Sequence, residues 1–208
     1  MEVSGESTSA RSLHDVDALA AIAARRSIGR LVAPGPEGDD LDAILGAGAL
    51  APDHGELRPF RFHVLAGEAK DAFGEVLAAA YVARCTAAGE VPVDAKAAKE
   101  RTKLGRAPLV IIVSAIRQPS EKIPWLEQQQ AAAAACQNIL LAATALGFGS
   151  MWRTGDPVYD ETVKAALGLR PEDAIAGFLY LGTVPDDATV AKPPRTSDLT
   201  GLVLEWTP

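Results

Sequence analysis

Hydrophobic positions along the chain switch repeatedly between helical and extended spacing. Val16, Leu19, Ala20 and Ala23 follow Ser12-Leu13-His14-Asp15, a weaker relative of the capping box, and predict a first amphipathic helix. Asp39-Asp40 opens a second, with Leu41, Ile44 and Leu45 on one face, that stops by Pro52. Phe60, Phe62 and Val64 alternate and predict a strand over 60–65, with His63 on its other face as a structural residue. Glu68 to Ala88 predicts a third helix carrying Phe73, Val76, Leu77, Tyr81 and Cys85. Lys96 to Leu104 is charged and predicts a solvated, mobile stretch or flap. Leu109 to Val113, entered by Pro108, is apolar without a break, as a central buried strand is. Tyr159 to Leu167 predicts a short helix, and Ala174 to Leu181 a second central strand closed by Gly182.

One stretch organises these elements. No charged residue lies between Glu127 and Arg153, and Ala131 to Leu146 predicts a single helix of Ala and Leu. A helix apolar on nearly every side is buried on nearly every side. Its small residues Ala132, Ala133, Cys136, Ala143 and Gly147 admit a second backbone at close range. Gly147 and Gly149 are expected to stop it. Met151-Trp152-Arg153-Thr154-Gly155 then predicts a short strand or extended turn that brings a ring, a cation and a hydroxyl to one place. A membrane span needs about 20 predominantly apolar residues. The run uninterrupted by a polar residue, Ala131 to Cys136, falls short of that.

Composition narrows the partners. The chain has 208 residues and a formal charge of −7. That balance argues against nucleic acid or an anionic membrane as a partner. Cys85 and Cys136 sit in apolar helical contexts with no CxxC pattern, which suits a reducing compartment. The first 12 residues lack an apolar h-region. They are expected to form a flexible tail (residues 1–12) before one domain over 13–208, in the cytoplasm.

Several motifs are missing. Gly147-Phe148-Gly149 follows a helix, whereas a Rossmann fingerprint follows a strand. There is no GxxxxGK[ST], no GxSxG and no HExxH. Cys136, buried in mid-helix, is a poor nucleophile. What remains is a set of cations and one loop histidine. Arg25, Arg26 and Arg30 stand within six residues of an acidic chain. Arginine suits bidentate contact with phosphate or carboxylate, and it also caps a helix C-terminus. His54 lies in a polar loop among Asp53, Glu56 and Arg58.

Taken in order, these pieces resemble the nitroreductase superfamily, most closely its short single-domain bacterial branch of NAD(P)H nitroreductases. The resemblance rests on Arg25-Arg26-Ser27, Ala51-Pro52-Asp53-His54, Arg58-Pro59-Phe60, Arg106-Ala107-Pro108-Leu109, Gly147-Phe148-Gly149, Trp152-Arg153-Thr154-Gly155 and Gly177-Phe178-Leu179-Tyr180-Leu181-Gly182. It covers nearly the whole chain from about Asp15. It implies an α+β fold with a central mixed sheet flanked by helices, in an intertwined homodimer with exchanged C-terminal arms. FMN then sits at the subunit interface, and the twofold packing falls on Ala132, Ala133 and Cys136. The implied cofactor-binding residues are Arg25, Arg26, Ser27, His54, Trp152, Arg153, Thr154 and Arg195, with Lys192 second to Arg195. No metal is implied.

The resemblance further implies two half-reactions: NADH or NADPH passes hydride to flavin N5, and a nitroaromatic, quinone or similar acceptor takes the electrons. The cofactor carries that chemistry, so no side chain is assigned as catalytic. Two positions depart from the pattern. Gly29 stands where relatives are often basic, and Leu50 replaces a cation offered across the dimer. Three readings stay open on the sequence: this enzyme, a flavin storage or sensor protein without nicotinamide turnover, and a helical dimerisation module with no cofactor.

Overall fold

The computed structural model describes residues 17–186 and 198–207. The expected N-terminal tail, Ser12, Val16, Lys192 and Arg195 lie outside those residues. In chain order the elements are α1 (Ala18–Ala24), α2 (Gly38–Ala49), β1 (Phe60–Ala66), α3 (Glu68–Ala87), α4 (Asp94–Thr102), β2 (Leu109–Ala115), α5 (Trp125–Ala145), β3 (Gly149–Arg153), α6 (Glu161–Ala166) and β4 (Ala174–Gly182). Short 3-10 turns precede β1, β2 and α6.

The strands form one four-stranded sheet in the order β1-β2-β4-β3. Every neighbouring pair is antiparallel, so the expected mixed sheet is corrected. The reason lies in the connections. Helix α5 carries the chain back along the sheet, so β2 and β3 run the same way, and β4 fills the slot between them in the opposite sense. One parallel contact remains, the isolated bridge of Ser27 to Ser150 at the sheet's edge.

Strand parity divides the core in two. Leu109, Ile111 and Val113 of β2 face α5, where Ile139, Leu140 and Ala143 meet Leu179 and Leu181 of β4. Val110 and Ile112 face the other way, against Leu77 and Ala80 of α3 and Val163 of α6. Ile111, Ile112, Ile139, Leu179 and Leu181 are fully buried. Each such side chain contributes about 1.5–3 kcal/mol through burial.

Three further expectations are corrected. Residues 94–102 form α4, not a mobile flap. Its mean composition is polar, yet it docks on α3 because Gly74 lacks a side chain. A Cβ there would lie 2.1 Å from the carbonyl oxygen of Arg101. Gly147 ends α5 with φ +87, but Gly149 already belongs to β3, where a Cβ would meet Leu31 at 2.5 Å. Finally, Ala132 and Cys136 are wholly buried inside the protomer, against the sheet. They are therefore unavailable for the twofold packing expected of them. Both cysteines are free and buried, and burial pushes the Cys136 thiol up to about 12. Among the described residues no helix is long and apolar enough to cross a membrane.

Candidate functional site

The arginine turn is fixed in place by the sheet. Helix α1 is only seven residues long, capped by the Asp17 carboxylate on the amide of Leu19 at 2.9 Å. After Ala24 the chain becomes extended and lies beside the edge strand. The amide of Ile28 donates to the carbonyl of Ser150 at 3.0 Å, and Val32 exchanges two hydrogen bonds with Thr183 at 2.9 and 2.8 Å. Ser27 is exposed on this edge and Arg25 is half-buried. Arg26 turns back: its Nη1 donates to the carbonyls of Ala23 at 2.5 Å and Arg25 at 2.8 Å. Arg26 thus caps α1, whereas among the described residues the side chains of Arg25 and Ser27 make no hydrogen bond. Beside them Ser150 is 1% exposed, and its hydroxyl has no hydrogen-bond partner. Gly29 is exposed, and a Cβ there would meet only Met151 Cε, at 3.7 Å.

His54 lies elsewhere. Its loop is held in an uncommon backbone: Gly55, Glu56 and Arg58 have φ of 73, 52 and 46. Left-handed non-glycine residues are sparse and concentrate at functional sites. The Asp53 carboxylate holds the loop by accepting from the amide of Arg58 at 2.5 Å. His54 Nδ1 meets Glu127 Oε2 at 2.6 Å, in the first turn of α5.

The two halves are therefore at opposite ends of α5. Ser27 is bridged to Ser150, just beyond the helix's C-terminus, while His54 is tied to Glu127 near its N-terminus. From Glu127 to Ala145 the helix spans roughly 27 Å, at about 1.5 Å per residue. No single protomer brings His54 beside Arg25 and Ser27.

The remaining predicted residues are separated by strand parity. Trp152 joins the α5 side of the core, and its Nε1 donates to the Ala176 carbonyl at 3.1 Å. It packs so closely that a Cβ on Gly177 would lie 2.0 Å from that nitrogen. Arg153 points to the other face, where its Nε contacts Met151 Sδ at 2.9 Å and it shares a cavity with Thr154 and Tyr180. The expectation that Trp152 and Arg153 meet in one place is corrected: successive side chains of a strand cannot. Sequence reasoning missed Ser150 and Glu127. The Ser27–Ser150 and His54–Glu127 contacts join distant segments, so no local signal marks either. Among the described residues no cluster of His, Cys, Asp or Glu could hold a metal ion.

Known proteins share this fold. The profile of the Nitroreductase family matches residues 22–183. An Escherichia coli (strain K12) protein named "Putative NAD(P)H nitroreductase YdjA" is 42% identical over 168 residues, covering 81% of this chain and 88% of its own. A "Putative NAD(P)H nitroreductase" of Haemophilus influenzae is 34% identical over 170 residues, covering 81% and 89%. Among solved structures, one of Desulfovibrio desulfuricans described as "a putative nitroreductase in complex with fmn" superposes with a TM-score of 0.67 at 27% identity, covering 93% and 98%. With the profile running from α1 to the end of β4, the chain belongs to the nitroreductase family.

Proposed function

We propose that this chain is an FMN-dependent NAD(P)H oxidoreductase, acting on nitroaromatic, quinone or similar acceptors, and that its working form is a homodimer. The observation that carries the reading is the Arg25–Ser27 turn, locked to β3 by the Ile28–Ser150 hydrogen bond. It offers one guanidinium and one exposed hydroxyl beside the orphaned, buried hydroxyl of Ser150. That donor set fits the phosphate of FMN, which carries about −1.5 to −2 charges and three acceptor oxygens. The FMN and NAD(P)H in the names of related proteins support the same assignment. Bound there, FMN would supply the hydride and electron transfer between the nicotinamide and the acceptor.

The chain's own residues do the rest. Arg25 and Ser27 anchor the cofactor tail by charge-assisted hydrogen bonds. Thr154 and Gly155, which follow β3, would hold the ring. His54 reaches the site from the second copy. Two α5 helices packed antiparallel about a twofold bring the C-terminal end of one beside the N-terminal end of the other, which joins the halves that one protomer keeps apart. The α5 stripe left partly open supplies the packing: Leu126 is 63% exposed, and Gln130, Ala133, Gln137 and Leu141 continue it at helical spacing. The exposed apolar residues Leu202, Val203, Leu204 and Trp206 suit an arm laid on the partner.

The test is spectroscopic. Purified protein reconstituted with FMN should be yellow, and anaerobic mixing with NADH or NADPH should bleach it within the turnover time. A protein that holds FMN but does not bleach is a storage or sensor protein. One that takes no FMN defeats the reading.

A further inference from the structure

The face of the sheet opposite α5 carries a cavity of about 250 Å³. Lys99 and Glu100 of α4, Lys103 and Arg106 of the turn after it, Arg153 of β3 and Tyr180 of β4 line it. Four cations thus face one carboxylate, in a chain whose formal charge is −7. Glu100 is taken by an ion pair with Lys103. Among the described residues no carboxylate pairs with Lys99, Arg106 or Arg153. Arg153 spends its Nε on the Met151 thioether, a weak acceptor, which leaves its terminal nitrogens free to donate. Tyr180 is 4% exposed, and burial pushes its phenol up to about 12 against the opposing pull of Arg153 and Arg106. Its hydroxyl therefore remains a neutral donor.

Gathering three cations around a cavity without a counter-ion is unfavourable, because each raises the potential felt by the others. The excess of three positive charges is best matched by a dianion with several acceptor oxygens. A monocarboxylate leaves two charges uncompensated, whereas a phosphate monoester presents three oxygens to two planar guanidinium forks. We propose that this cavity binds a phosphate dianion, free or as a monoester, separately from the Arg25–Ser27 turn. Two sources share that chemistry: the 2′-phosphate of NADPH and free inorganic phosphate. Thr154 also lines the cavity, which places it near the end of β3 that borders the proposed flavin. Only the NADPH arm rests on the flavin reading.

Inorganic phosphate is the first probe, titrated by calorimetry and by 31P NMR into wild type, Lys99→Gln and Arg106→Gln. Neither residue belongs to the proposed flavin set, and Lys99 is exposed on α4, so its loss leaves the fold intact. Wild type should bind one phosphate per chain, and each variant should bind it roughly tenfold or more weakly, the loss of one charged hydrogen bond. No binding by wild type, or equal binding by all three, overturns the proposal. The second measurement is anaerobic flavin reduction by NADPH and NADH. If the 2′-phosphate is the occupant, Arg106→Gln raises the KM for NADPH tenfold or more, leaves NADH unaffected, and phosphate competes with NADPH alone. If the NADPH-to-NADH ratio stays constant while phosphate binding falls, the cavity serves free phosphate and the proposal stands. Failure of the flavin reading is separate: protein that takes no FMN yet binds phosphate retains this site.

Discussion

His54 and Glu127 are joined by a 2.6 Å contact between Nδ1 and Oε2 that links the loop after α2 to the first turn of α5. The pair is open to solvent, with side chains 63% and 42% exposed. Pairs so placed contribute less than about 1 kcal/mol. Glu127→Ala should therefore shift the urea unfolding free energy by no more than that. It releases the imidazole, so FMN affinity should fall by up to about fivefold, the equivalent of 1 kcal/mol. A fluorescence titration of FMN into the apo-variant checks this.

Adjacent arginines should behave differently. Arg25→Ala removes a guanidinium that has no hydrogen-bond partner among the described residues and should weaken FMN binding by roughly 1.5–3 kcal/mol, the range for a charged hydrogen bond. Arg26→Ala removes the two hydrogen bonds that close α1. It should cost about 0.5–1.5 kcal/mol of stability and leave flavin affinity nearly unchanged. Parallel flavin titrations and urea melts separate the two. Equal affinity in Arg25→Ala and wild type removes Arg25 from the site.

Leu126→Glu and Ala133→Glu place a charge on the α5 stripe proposed to meet the second copy. An unpaired charge buried at an interface is costly. Light scattering after size exclusion should show monomers, with FMN affinity lost at the same time because His54 no longer reaches the site. An unaltered dimer moves the twofold axis off this stripe.

Gly29→Lys should fold normally, since a Cβ at that position meets nothing closer than 3.7 Å. A cation there would stabilise the negative charge of reduced flavin. The flavin potential should rise by about 30 mV, the two-electron equivalent of 1.4 kcal/mol. Photoreduction against a reference dye measures it.

High pH should destabilise the fold. Burial raises Cys136 from 9.0 and Tyr180 from 10.0, each to about 12. The folded protein thus keeps two protons that the unfolded chain gives up above those ordinary values. Their contribution is complete below pH 9 and is lost as pH climbs toward about 12. The urea midpoint should be lower at about pH 10.5 than at about pH 8, and Cys136→Ala should flatten the difference.

Much of this architecture was legible where hydrophobic spacing is strong. The helix expected over 131–146 and the strands expected over 109–113 and 174–181 follow from apolar runs that periodicity finds without tertiary information, although the helix begins six residues earlier, at Trp125. Helix α4 was not legible, because it docks through a backbone approach at Gly74 and carries no apolar stripe. The antiparallel order of the sheet depends on where long connections return, which no local pattern encodes. At the site, the arginine turn was visible by composition. The separation of His54 from it was not, since that depends on two pairings distant in sequence. Trp152 and Arg153 could have been placed on opposite faces from strand parity alone.

The hydrogen atom on Gly74 has a reach well beyond α3. By letting the carbonyl of Arg101 approach, it sets how closely the lysine-bearing helix settles against α3. A methyl group at that point would lift Lys99 and Lys103 without altering a single ionisable group. The electrostatic character of that face is thus governed by an uncharged residue that never touches an ion.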